Sequence, residues 1–186
     1  MLGRSIVRWF FLALPTALVA QPMPSPSRGT IELAADLGHT RFASANVRPD
    51  GSRLGLFFAR HVGRRTAWTV DITCTGGIPA GSTEDDSFTI CTGSLGVRLD
   101  VATTRRTRPY LRAAHGQAQL DAIAEPDVFD IDDRGGATTA AVGVRGAFAK
   151  AARAGWHIEL AFVRHDLLGG PATHRSVGFG VTWRAR

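Results

Sequence analysis

The fold of this chain turns on Gly155-Trp156-His157-Ile158-Glu159-Leu160-Ala161-Phe162. Trp156, Ile158, Leu160 and Phe162 fall on one side of an extended chain, and His157, Glu159 and Ala161 on the other. Successive side chains of a strand point to opposite faces, so a period of two means a strand with one apolar and one polar surface. An amphipathic helix would instead space its apolar residues by three and four.

Working outward, seven more segments share this rhythm. In Thr30 to Thr40, Ile31, Leu33, Ala35 and Leu37 oppose Glu32, Ala34, Asp36 and Gly38. Arg53 to Val62 places Leu54, Leu56 and Phe58 on the apolar face, with Phe57 breaking the alternation. In Thr66 to Thr75, Trp68, Val70 and Ile72 oppose Thr69, Asp71 and Thr73. In Phe88 to Ala102, Leu95, Val97, Leu99 and Val101 oppose Ser94, Gly96, Arg98 and Asp100.

Arg108 to Leu120 is less regular. Leu111 and Ala113 oppose Arg112 and Ala114, but His115, Gln117 and Gln119 then fall on the Leu111 face. Either a bulge resets the phase or those polar groups stand above a membrane. Ala137 to Ala149 sets Val142, Val144 and Phe148 against Gly143, Arg145 and Ala147. Gly155 to His165 contains the opening stretch. Ser176 to Arg184 sets Val177, Phe179, Val181 and Trp183 against Gly178, Gly180 and Thr182. The best helical competitor, Ala137 to Ala154, carries two glycines and the Val142/Val144 alternation, which favour a strand.

The connections alternate as well. Those around Gly63-Arg64-Arg65, Thr103 to Thr107 and Lys150 to Ala154 are short and basic. Arg41 to Ser52, Gly76 to Ser87, Asp121 to Gly136 and Asp166 to Arg175 are longer, and two of them are acidic. An even number of strands with tight turns at one end and longer loops at the other is the plan of a transmembrane barrel. The expected fold is therefore all-β, an eight-stranded antiparallel up-and-down barrel over residues 30–186.

Ahead of it, Arg4 and Arg8 precede an apolar run ending in the small residues Ala17 and Ala20. This reads as a signal peptide over residues 1–20, with cleavage before Gln21. The run is too short to anchor in a bilayer of about 30 Å. Residues 21–29 are rich in Pro and Ser and read as a disordered leader. No later segment reaches the ~20 apolar residues of a membrane helix.

The formal net charge is +6, from 22 basic and 16 acidic residues. The arginines are scattered at strand ends and turns with no basic stripe interleaved with aromatics, which argues against a nucleic-acid partner.

With these features in place, the chain resembles the small OmpA-type eight-stranded outer-membrane barrels over residues 30–186. Pro109-Tyr110-Leu111-Arg112-Ala113 is similar to a strand opening of that family, and Gly155 to Leu160 to its penultimate strand. Ser176, Gly178, Val181 and Trp183 resemble its C-terminal assembly signal, although Arg184-Ala185-Arg186 follows where the family ends on an aromatic residue. The resemblance implies the cell outer membrane as location, with membrane lipid and the barrel-assembly machinery as partners. Trp68, Trp156 and Trp183, on the apolar face near one end, form the expected aromatic girdle.

Cys74 and Cys91 stand nearly opposite each other about the 76–87 loop, on the outward parity of their strands. In an exported protein they are expected as a disulfide, which a loop-closure argument values at about 3 kcal/mol. Glu32, Asp36, Asp71, Arg98, Asp100, Arg112, Arg145, His157 and Glu159 share the inward parity. Eight strands enclose a space that side chains fill. Buried charges must pair, so an internal salt-bridge network is expected rather than an open pore.

No cofactor and no metal site is expected. His39, His61, His115 and His174 lack ligand spacing. The acidic run Asp127 to Asp133 lacks the glycine and final glutamate of a calcium loop. An unidentified extracellular ligand is expected at the acidic loops.

The expected role is non-enzymatic, structural or surface-interacting. Two alternatives stay open. A soluble ligand-binding barrel of lipocalin or avidin type would invert the parity. A lipid A-modifying enzyme would need a nucleophile, base and acid at the outer rim, for which Ser87, His165 and Asp166 are the candidates.

Overall fold

The computed structural model describes residues 26–43, 50–78, 87–102, 107–124, 129–148, 153–167 and 169–185. The expected signal peptide, and the leader as far as residue 25, lie outside the described residues. The end of that leader is not disordered. Pro26 is buried, Gly29 takes a positive φ of 87°, and the Gly29 N–H donates to the His61 carbonyl at 2.8 Å.

Eight strands follow: β1 (Ile31–Phe42), β2 (Asp50–His61), β3 (Thr66–Gly77), β4 (Ser87–Asp100), β5 (Thr107–Ala124), β6 (Phe129–Ala147), β7 (Ala154–Leu167) and β8 (Gly170–Ala185). Each pairs antiparallel with its sequence neighbours, and β1 pairs with β8 from Ile31↔Ala185 to Phe42↔His174, closing the barrel. Among the described residues there is no helix, and the 137–154 stretch is strand up to Ala147. Closure removes the unpaired edges that an open sheet would present.

The parity read from the sequence decides which way each residue faces. Leu33, Leu56, Val70, Leu95, Val142, Ile158 and Phe179 stand exposed on the outside, as do their alternating neighbours along each strand. Glu32, Asp36, Asp71, Asp100, Arg112, Arg145 and Glu159 are buried inside. Apolar outside and charged inside is the reverse of a water-soluble barrel.

This inside-out arrangement holds over only part of the height. Toward the end carrying residues 43–49, 78–86, 125–128 and 168–169 (the loop end), it inverts. Phe42, Phe88, Ile90, Ala118, Leu120, Ala137 and Leu167 form one buried apolar cluster inside the barrel. Their outward neighbours are polar: His39 and Arg41 on β1, His115 and Gln117 on β5, Arg164 and Asp166 on β7, and Thr173 and Arg175 on β8. Between the two regimes lies an inner layer of buried hydroxyls from Thr40, Thr75, Thr92, Thr139 and Ser176.

The inversion explains the irregular fifth segment. β5 carries no bulge. Its register with β4 runs unbroken from Asp100↔Tyr110 to Ser87↔Ile123, and with β6 from Thr107↔Gly146 to Ala124↔Phe129. His115 and Gln117 face outward because this part of the strand has passed the apolar belt, while Ala118 and Leu120 fill the inside.

Two expected loops are corrected. Asp166 to Arg175 is mostly strand, leaving residues 168–169 as the connection, with Gly169 at φ 74°. The φ of Gly169 lies in the left-handed region that lets so tight a turn close. Asp121 to Gly136 is a long hairpin connected by residues 125–128. The two ends therefore differ less in loop length than in how far the strands run beyond the apolar belt.

Candidate functional site: the charged interior and its two rims

Inside the belt the charges form two clusters stacked along the barrel axis. The one nearer the short-turn end centres on Glu32 of β1. Arg98, Arg145 and Arg184 all reach its carboxylate, Arg184 through Nε at 2.7 Å, and His61 Nε2 lies at 3.2 Å. Arg145 also grips Asp100, whose other side faces Arg98 Nε at 3.7 Å. Arg108, fully buried, lies on the same inward parity of β5.

The second cluster centres on Glu159 of β7. Arg112 forks onto it, with Nη2 to Oε1 at 2.8 Å and Nε to Oε2 at 3.2 Å. Arg53 Nη2 donates to Oε1 at 3.2 Å, and the Tyr110 hydroxyl to Oε2 at 3.1 Å. Arg112 Nη1 reaches Asp71 at 2.7 Å, and the Ser94 hydroxyl reaches it at 2.8 Å. Asp36 takes Arg53 at 3.2 Å and stands 3.4 Å from His157 Nε2. Paired guanidinium–carboxylate forks are the strongest hydrogen bonds a side chain makes. They also offset the cost of removing these ions from water.

All nine residues expected inside are there, and each takes part in one of the two clusters. Further participants fall outside those nine, among them His61 and the Ser94 hydroxyl. Arg53 reads as a strand boundary in the sequence but bridges Asp36, Glu159 and Ser176. Phe57, which breaks the alternation of β2, lies inside beneath two guanidinium groups, 5.1 Å from Arg112 and 5.6 Å from Arg53, edge-on to His157. Flat cation–π seats of this kind hold arginines in place where water is scarce. Tyr110 and Arg184 join them. An inward-facing aromatic amid arginines was the available signal for Phe57.

Glycines supply the room. A Cβ at Gly55 would fall 2.4 Å from an Asp36 oxygen, and one at Gly143 would fall 2.3 Å from the Tyr110 ring. The residues resembling an assembly signal divide by parity. Ser176 and Gly178 face inward, where Ser176 accepts from Arg53 at 2.8 Å and Gly178 makes space beside Asp36. Val181 and Trp183 face outward.

On the outside, Trp68 and Trp183 are exposed near the short-turn end, while Trp156 is half-buried because it lies across Gly146, its register partner. Cys74 and Cys91 are direct cross-strand partners with Cα atoms 4.0 Å apart and form a disulfide on the outer wall.

The candidate enzymatic trio is not assembled. His165 points inward toward His174, with ring centroids 5.5 Å apart, whereas Asp166 points outward beside Arg164. Ser87 is exposed at the start of β4. Of the other histidines, His39 meets Asp50 at 3.2 Å and His115 meets the Thr138 hydroxyl at 3.1 Å, both exposed. Among the described residues no group of three metal-ligating side chains converges. Asp127 of the acidic run lies outside the described residues.

An apolar outer belt around a filled ionic interior defines an eight-stranded barrel of the transmembrane type. Solved structures of that class are similar in fold. Neisserial surface protein A shares 13% identity at a TM-score of 0.68, over 83% of this chain and 98% of that one. Ail, the attachment invasion locus protein of Yersinia pestis, shares 9% at 0.57, over 85% and 99%. The outer membrane protein AlkL shares 14% at 0.51, over 89% and 95%. No protein-family model and no curated protein matches the sequence.

Proposed function

We propose that this protein is a non-enzymatic barrel of the bacterial outer membrane, of the OmpA-like kind. It is exported by the residue 1–20 signal and inserted by the barrel-assembly machinery, and it acts at the cell surface through its loop end. One observation carries this reading: the exposed apolar belt encloses an ionic interior in which Glu32, Asp36, Asp71, Asp100 and Glu159 each meet an arginine, an arrangement stable only where lipid replaces water outside. The soluble lipocalin-like alternative requires the opposite parity across the same strands.

The interior argues for a closed lumen. Arg112–Glu159 and Arg145–Glu32 cross the barrel at successive heights, and the apolar cluster caps them at the loop end. A structural or interaction role fits such a barrel better than transport. Ail is named for attachment and invasion, and contact with an extracellular ligand through the acidic β5–β6 hairpin is the corresponding role here.

Membrane fractionation together with the mobility of unboiled protein in gels tests the reading. The expected result is recovery in the outer-membrane fraction, with faster migration before boiling. Recovery as a soluble periplasmic species would overturn it. In planar bilayers the closed lumen predicts no steady conductance, and a persistent open channel would break that part of the reading.

A further inference from the structure

We propose that Arg41, Arg175 and Arg164 bind the phosphate of a phosphorylated lipid in the surrounding leaflet; this rests on the membrane reading above. Arg41 of β1 and Arg175 of β8 are direct cross-strand partners on the outer wall. Arg164 of β7 is the diagonal neighbour of Arg175, since Phe162 pairs with Arg175 and Arg164 with Thr173. All three side chains are exposed just above the apolar belt.

Like charges directly opposite each other on a strand pair are unfavourable, so this pair invites an anion between them. Two carboxylates stand near. Asp50 pairs with Arg41 in register but is engaged by His39 at 3.2 Å, and Asp166 lies 3.9 Å from Arg164. Neither sits on the Arg41–Arg175 seam. On the opposite wall this end carries His115, Gln117, the Cys74–Cys91 bridge and Arg134, the last beside Asp132 at 3.8 Å, so the facing pair of arginines is found on one side.

The patch favours a lipid over a free ion because of what lies beneath it. Phe162 and Val177, both about half exposed, and Leu37, 70% exposed, form an apolar shelf continuous with the arginines. Acyl chains fit the shelf while the guanidinium forks take phosphate oxygens. Basic side chains bordering an apolar surface draw anionic headgroups in the same way.

The test uses the full-length protein purified in neutral detergent, with native mass spectrometry of retained lipid. The probes are lipid A bearing both phosphates and the same lipid stripped of them. Wild type is expected to retain the phosphorylated form about tenfold better, a difference of one decade in affinity. Arg41→Gln/Arg175→Gln is expected to abolish the preference, and Arg64→Gln at the short-turn end to keep it. Unboiled gel mobility confirms that each variant is folded.

An undiminished preference in the double variant, or an equal loss in Arg64→Gln, would overturn the proposal. So would displacement by millimolar inorganic phosphate, which would reduce the patch to a simple anion site. A protein found in the membrane but without lipid preference sinks this inference alone, whereas a soluble protein sinks the membrane reading.

Discussion

The belt and the loop-end collar are built from the same eight strands with the same register, yet they solve opposite problems. In the belt, Leu56 and Val70 face outward while Asp71 and Arg112 meet inside. A few residues along, Gln117 faces outward while Phe88 and Leu120 meet inside. Nothing in the backbone changes at the boundary. What changes is the solvent outside, and the side chains record it. Parity is thus a property of the surroundings, and reading its sign along a strand locates where lipid gives way to water.

The sharpest way to break this comparison is to unpair the interior of the belt. Glu159→Ala removes the carboxylate that Arg112 and Arg53 share, leaving each with one, Asp71 and Asp36, and breaking buried pairs of this kind costs about 3–5 kcal/mol. Urea unfolding of the folded barrel should show the loss. A change under 1 kcal/mol, well short of that estimate, would mean that the interior is hydrated.

The next test places one substitution in each region. Leu56→Arg puts a charge at mid-belt and should destabilise by about 2–4 kcal/mol, whereas Gln117→Arg in the collar should be close to neutral. Equal costs would erase the boundary. Within the collar, Leu120→Ala removes an inward anchor and is expected to cost about 2–3 kcal/mol by the same unfolding assay. The smallest effect falls on the collar's exterior. His39→Ala breaks an exposed pair with Asp50 and should move stability by less than about 1 kcal/mol, diminishing further at high salt.

The belt was legible because period two survives any local ambiguity. Trp156-His157-Ile158-Glu159 states its two faces outright. The collar was not, since its strands keep the period but exchange the faces. Residues such as His115 and Gln117 then read as lapses, and the adjoining stretches as loops. Inward parity also named the charged interior without naming its partners. Arg53 and Glu159 stand 106 positions apart, and only the closed barrel brings them together. Phe57 read as an error of alternation because its value lies in the cations stacked on it, which no single strand reveals.

The seam between the first and last strands has a consequence for how the barrel forms. Glu32 on β1 meets Arg184 on β8, 152 positions away. Until those strands zip together, Glu32 lacks this partner and faces whatever lies across the gap. Joining the seam and silencing that charge are one event. The chain thereby carries its own latch, which engages only when the circle is complete and penalises any half-closed sheet left facing oil.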